Sequence, residues 1–124
     1  MKNAIHWFEI PATDLDRAAR FYERVLGSTL QRETFAGQDL AIFRCNGEKD
    51  GVAGAVVADP KRKPAAQGTC VYLDARGDLD GALVRAKQAG GEVLVPRTDI
   101  GAPGFIALIR DSEGNTVGLH SERT

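Results

Sequence analysis

The chain has 124 residues, 43% hydrophobic and 27% charged, and a formal net charge of −1, the size and mix of one globular domain long enough to bury a core. The balanced charge gives no electrostatic footprint for nucleic acid or an anionic membrane surface, and no apolar run approaches the roughly 20 residues that span a bilayer. MKNAIHWFEIP lacks the basic and apolar regions of an export signal, so a cytoplasmic location is expected.

Residues 4–10, AIHWFEI, are apolar and aromatic enough for a strand that Pro11 stops or bulges. Thr13 stands three residues before Asp16, a capping-box-like helix start, and the stripe Leu15, Ala18, Ala19, Tyr22, Val25, Leu26 predicts a helix that Gly27 ends. Strands are expected at 28–33, 39–45 and 52–58, separated by the turn signals AGQ and NGEKDG. DPKRKPAAQ, residues 59–67, has two prolines, three consecutive basic residues and no apolar periodicity, and reads as a solvated linker. Beyond it, TCVYLDA predicts a strand and 78–89 a helix with Leu79, Ala82, Leu83 and Ala86 on one face. Further strands are expected at 92–96, 104–110 and 116–120, with GAPG and DSEGN between them. Cys45 and Cys70 have no metal-type spacing and are read as two reduced thiols.

The two halves repeat. Asp14, Leu15, Asp16, Ala18, Gly27 and Leu30 recur 64 positions later as Asp78, Leu79, Asp80, Ala82, Gly91 and Leu94. The expected fold is therefore α+β, a single domain over 1–124 made of two tandem βαβββ modules, about 1–58 and 68–124. One helix cannot cover both faces of such a module's sheet. The helices are placed on the outer face, and the free faces can enclose a cleft.

FEIPATDLDRAARFYERVLG, AGGEVLVP and IRDSEGNTVGLHS together resemble the vicinal oxygen chelate superfamily, which includes the glyoxalase I, bleomycin-resistance and extradiol-dioxygenase-like proteins. The resemblance runs over nearly the whole chain. It implies a cupped mixed sheet built from paired modules, commonly in a homodimer. In the enzymes it also implies a divalent metal in the cup, held by His, Glu or Gln from the first and last strands of both modules and acting as a Lewis acid on the substrate.

Fold membership does not carry that chemistry over by itself. The first ligand position, counted back from Asp14, falls on Trp7, with His6 one residue away and hence on the opposite strand face. His6 is the sole plausible ligand of the first strand if a bulge at Pro11 turns it inward. The counterpart in the second half falls at Cys70, both from the AGG turn and from the 64-residue offset to His6. VAGAVVA offers no side-chain ligand, and Gly118 takes the usual glutamate position. No metal of the family's usual type, and no other cofactor, is expected.

Strand alternation names what lines the cup instead. Trp7 and Glu9 share a face, as do Cys70 and Tyr72, and Gly118 and His120. The empty positions Gly54 and Gly118 would enlarge a cavity. The first functional reading is a small-molecule-binding protein with a degenerate metal site that sequesters or transforms a small polar or aromatic compound. Trp7, Cys70, Tyr72 and Gly118 are its ligand-binding candidates. The alternatives are a metal-dependent lyase, isomerase or dioxygenase, which needs His6 turned inward, and a metal-free acid–base enzyme with Glu9 and His120 as catalytic residues. The expected partners are a small molecule and a second copy of the chain, with no nucleic acid and no membrane.

Overall fold

The computed structural model describes residues 4–44 and 51–123. The order of elements is β1 (Trp7–Pro11), α1 (Leu15–Leu26), β2 (Gln31–Phe35), β3 (Gln38–Phe43), β4 (Ala53–Val57), β5 (Tyr72–Asp74), α2 (Leu79–Gln88), β6 (Glu92–Asp99), β7 (Phe105–Arg110) and β8 (Thr116–Ser121). This is βαβββ twice. Cys45 and most of the NGEKDG turn lie outside the described residues.

Each module closes its own four-stranded mixed sheet, in the orders β1-β4-β3-β2 and β5-β8-β7-β6. The first strand of each lies parallel to the last, and the remaining pairs are antiparallel. The helices pack on each other and on one face of their sheets, and a single apolar core runs through both modules. Ile10, Ala41 and Val56 of the first sheet share it with Leu73, Ile109 and Leu119 of the second. The opposite face of the first sheet carries a smaller buried cluster, Leu40, Ile42, Ala55 and Val57.

Local chemistry sets the boundaries. The cap of α1 is Asp14, whose side chain accepts the Arg17 N–H, rather than the expected Thr13. Gly27, at φ 65°, ends the helix, and Ser28 and Leu30 are held back by Glu23, so β2 starts three residues later than expected. Pro11 belongs to β1 and Pro96 to β6, both edge strands, and β6 shifts register on either side of Val95. The 59–67 segment is mostly exposed but anchored. Asn115 Oδ1 accepts the Ala65 N–H, Thr116 Oγ1 donates to the Ala66 carbonyl, and Arg62 pairs with Glu9 at 2.8 Å.

The repeat has one register in the helices and another in the strands. Helix caps Asp14 and Asp78 are 64 apart. The bonds from Ala12 N–H to the Val57 carbonyl and from Ala75 N–H to the His120 carbonyl are related by 63 (75 − 12 and 120 − 57). Between strand and cap, the second module has Arg76-Gly77 where the first has Thr13 alone. The added residue is absorbed in a tight turn, with Arg76 at φ 57°, Gly77 at φ 74° and the Asp78 N–H bonded to the Ala75 carbonyl at 3.0 Å. Sidedness alternates with every residue, so strand positions 64 apart face opposite ways. The counterpart of Cys70 is consequently Trp7, not His6 as the sequence offset suggests.

Candidate functional site

The two sheets do not join at β1 and β5, and an open cleft of about 880 Å³ lies between the modules there. Its apolar wall includes Phe8, Leu30, Phe43 and Val71. Its polar rim includes Arg44, Cys70, Tyr72, Asp74 and Arg76. Ring packing holds the aromatic wall. Phe8 lies against Phe43, with ring centroids 5.5 Å apart, and Phe43 meets Tyr22 of α1 edge-on at 5.4 Å.

Both glycines read as vacant positions are occupied by a neighbour. A Cβ on Gly54 would lie 2.3 Å from Phe8 Cδ1, and one on Gly118 would lie 2.2 Å from Tyr72 Cδ2. Each aromatic ring sits over the glycine opposite it on the parallel partner strand. The missing side chains therefore seat two cleft residues instead of enlarging a cavity. Phe8 does so on the core side of its sheet, Tyr72 on the open side of its own, as the one-residue shift requires.

The remaining sequence candidates fall elsewhere. Trp7 and Glu9 lie on the face of the first sheet turned away from α1. Trp7 Nε1 donates to Glu9 Oε2 at 3.2 Å, and Arg62 completes the Glu9 pairing. Glu9 lines a second recess of about 230 Å³ beside the 59–67 segment. His120 Nε2 is 2.7 Å from the Pro103 carbonyl of the GAPG turn. Glu9, Tyr72 and His120 are thus not drawn into one cleft: Glu9 belongs to the first sheet, and His120, although one strand from Tyr72 in the second, does not line the cleft. His6 is exposed and lies just outside β1.

The metal expected of related enzymes can be tested on its donor set. The structurally matched positions on the first and last strands of the two modules hold Trp7, Ala55, Cys70 and Gly118, of which the Cys70 thiol alone is a metal donor. Among the described residues no three His, Cys, Asp or Glu side chains gather. This set does not fit a resident divalent ion.

The ion pair of Arg17 with Glu113 crosses between the modules. The Glu113 carboxylate, buried in the DSEGN turn, accepts both N–H groups that lead into α1, from Thr13 and Asp14, and is clasped by Arg17 at 2.7 Å. Burial pushes its acidity the other way. The Arg17 guanidinium, these N–H groups and the Ser112 hydroxyl prevail and hold its pKa at about 2. Beside it, Tyr22 OH donates to Asp111 Oδ2 at 2.5 Å, and burial and that carboxylate raise the phenol well above its ordinary range. These groups join α1 to the second module and take no part in the cleft.

Sequence reasoning placed Cys70 and Tyr72 at the site and missed Phe8, Phe43, Arg44 and Arg76. Setting PATDLD beside DARGDLD reveals the insertion that brings Arg76 there. Nothing in the local pattern marks the others.

Residues 4–119 match the family model described as the glyoxalase/bleomycin resistance protein/dioxygenase superfamily. A glyoxylase-like domain-containing protein of Didymella fabae is 31% identical over 120 residues, 90% of this chain and 88% of that protein. The provisionally named glyoxylase CFP32 of Mycobacterium tuberculosis is 27% identical over 92% of this chain, which spans only 44% of that relative. Among solved structures, a glyoxalase/bleomycin resistance protein from Albidiferax ferrireducens superposes with a TM-score of 0.71 at 17% identity, covering 97% of this chain and 100% of that one. TnmS3, an antibiotic-binding protein from Streptomyces sp. CB03234, does so at 0.68 and 19% identity, covering 99% of each chain. No described helix is long and apolar enough to cross a membrane.

Proposed function

Because the chain belongs to the glyoxalase/bleomycin resistance protein/dioxygenase superfamily, a fold on which function lives in the site rather than the frame, we propose that it binds a small molecule in the intermodular cleft without a resident metal. The observation that carries this reading is the cleft itself, about 880 Å³ with a mixed apolar and polar lining, within the range of small-ligand sites. The antibiotic-binding activity named for TnmS3, a protein of the same fold, supports it. So does the donor set, which offers the Lewis-acid route of metalloenzymes a single ligand, Cys70.

Binding on this reading is burial plus orientation. A flat ligand covering about 200 Å² of the Phe8, Phe43, Leu30 and Val71 wall would draw about 5 kcal/mol from apolar contact. Tyr72 and the polar rim then fix its direction. An acid–base reaction by Glu9 and His120 has no support in the geometry, since Glu9 is bonded to Trp7 and Arg62 and His120 to a backbone carbonyl. Homodimerisation is part of the proposal and rests on family membership.

The test is a thermal-shift screen of aromatic and polar small molecules. A hit at one hundred times its Kd should raise Tm by roughly 5–10 °C. Cys70→Trp, which plugs the cleft from an exposed position, should abolish the shift. Retention of the shift in that variant would place the site elsewhere. Conversion of the hit, seen by mass spectrometry, would replace binding with catalysis. A Zn²⁺- or Ni²⁺-induced shift lost in Cys70→Ala would restore the metal reading.

A further inference from the structure

Arg76 departs from its surroundings in three ways that meet at the cleft. It belongs to the one-residue insertion that sets the second module's strand out of step with its helix. It adopts φ 57°, a left-handed conformation that a long side chain rarely takes. And it stands on the rim of the cleft, where among the described residues its guanidinium has a single side-chain partner, the Ser28 hydroxyl, at a loose 3.4 Å.

The turn aims this residue through its own hydrogen bonds. Asp74 Oδ1 accepts the Arg76 N–H at 2.8 Å, and the Ala75 carbonyl accepts the Asp78 N–H. Asp74 is the one carboxylate among the described lining residues, and one of its oxygens is thus turned onto backbone. The other rim guanidinium, Arg44, is already bonded to Gln31 Oε1 at 2.6 Å and Glu33 Oε2 at 3.1 Å. Among the described residues, an incoming anion therefore finds the Arg76 guanidinium with only that loose partner and Arg44 engaged. A guanidinium meets carboxylate, sulfonate or phosphate oxygens through paired N–H donors, which adds direction to charge.

We propose that Arg76 makes the cleft selective for ligands with an apolar or aromatic body and one anionic group, the body lying against the Tyr72 and Phe8 side and the anion on the Arg76 guanidinium. The proposal rests on the cleft being the binding site and adds the chemical class of what it takes. The backbone position of Arg76 is set by the turn, so the guanidinium can be removed without disturbing the fold.

The experiment compares two dyes that share one aryl scaffold, the anionic 8-anilinonaphthalene-1-sulfonate and the neutral N-phenyl-1-naphthylamine, by fluorescence titration of the full chain. In Arg76→Asn, a residue that tolerates left-handed φ, the sulfonate dye should bind about tenfold more weakly. The neutral dye should bind within about twofold of the parent. Lys87→Gln, an exposed charge change outside the cleft, should change neither dye by more than about twofold. Protection of Cys70 from N-ethylmaleimide in a Cys45→Ser background reports whether a dye occupies the cleft.

Loss of both dyes in equal measure, or of neither, in Arg76→Asn would overturn the role of Arg76 while leaving the cleft as a binding site. Failure of both dyes to protect Cys70 would overturn the cleft reading itself, and this proposal with it. An unchanged or raised Tm of Arg76→Asn is the expected folding control. A collapse of Tm would make the residue structural, and the Arg76→Lys variant, which keeps the charge, would then have to restore sulfonate binding for the proposal to stand.

Discussion

Glu113 shows how much one buried carboxylate can organise. It closes two N–H groups ahead of α1 and pairs with Arg17 across the module boundary, so its ionised form is favoured in the folded chain. With a folded pKa of about 2 against an ordinary 4.5, its contribution is fully present above about pH 4.5 and is lost as pH falls towards 2. Glu113→Gln should lower stability at neutral pH by about 2 kcal/mol and flatten the acid limb of a urea-denaturation series between those pH values. An unchanged acid limb would show that the carboxylate is not ionised differently in the two states. The seated rings give a second contrast. Phe8 is packed among Phe43 and core residues whereas Tyr72 is 48% exposed, so Gly54→Ala should cost about 1–3 kcal/mol by overpacking. Gly118→Ala should cost less and instead displace Tyr72, weakening ligand binding. Equal Tm losses for the two variants would refute that distinction.

The β2–β3 hairpin turns through Ala36 and Gly37 at φ 51° and 77°, the two-residue turn that matches strand twist. Alanine is a poor choice for the first of these positions, since its Cβ crowds the backbone there. Ala36→Asn should stabilise the protein by about 0.5–1 kcal/mol and raise Tm by about 2–4 °C, which calorimetry can check. A fall in Tm would mean that the hairpin relaxes to another turn in solution. The turn before α2 uses the same device for a different purpose. Arg76-Gly77 takes up one residue between a strand and a helix whose spacing the first module sets differently, and by parity this moves Tyr72 onto the open face of its sheet. Neither turn carries the Asn-Gly pair that signals such geometry, so the sequence marks the first only as a break between strands and gives no sign of the second.

At the scale of the molecule, the two sheets are separate but the core is not. Ile10, Val56 and α1 share buried contacts with Leu73, Ile109, Leu119 and α2, and Arg85 donates to the Arg24 and Val25 carbonyls at the end of α1. Half a core seldom suffices for a unit of this size. The full chain should therefore unfold in one transition, with calorimetric and van't Hoff enthalpies equal, and a fragment of residues 1–67 should show little folded signal by circular dichroism. Two resolved transitions would mean that each module holds its own fold.

The amino-acid order alone determined the elements, the duplication and the family, because these depend on local periodicity, capping and turn chemistry. Leu15 to Leu26 can hide its apolar stripe in few other ways, and DLD recurs at both helix starts. It also placed Trp7 with Glu9, and Cys70 with Tyr72, since alternation is a local rule. The tertiary structure decided which of these faces meet. A one-residue insertion reverses the side on which repeat-related strand residues emerge, and strand β5 pairs with β8 rather than with β1. That leaves Glu9 and His120 on separate sheets and opens the cleft beside Tyr72. Such outcomes depend on contacts between residues tens of positions apart, and no window along the chain contains them.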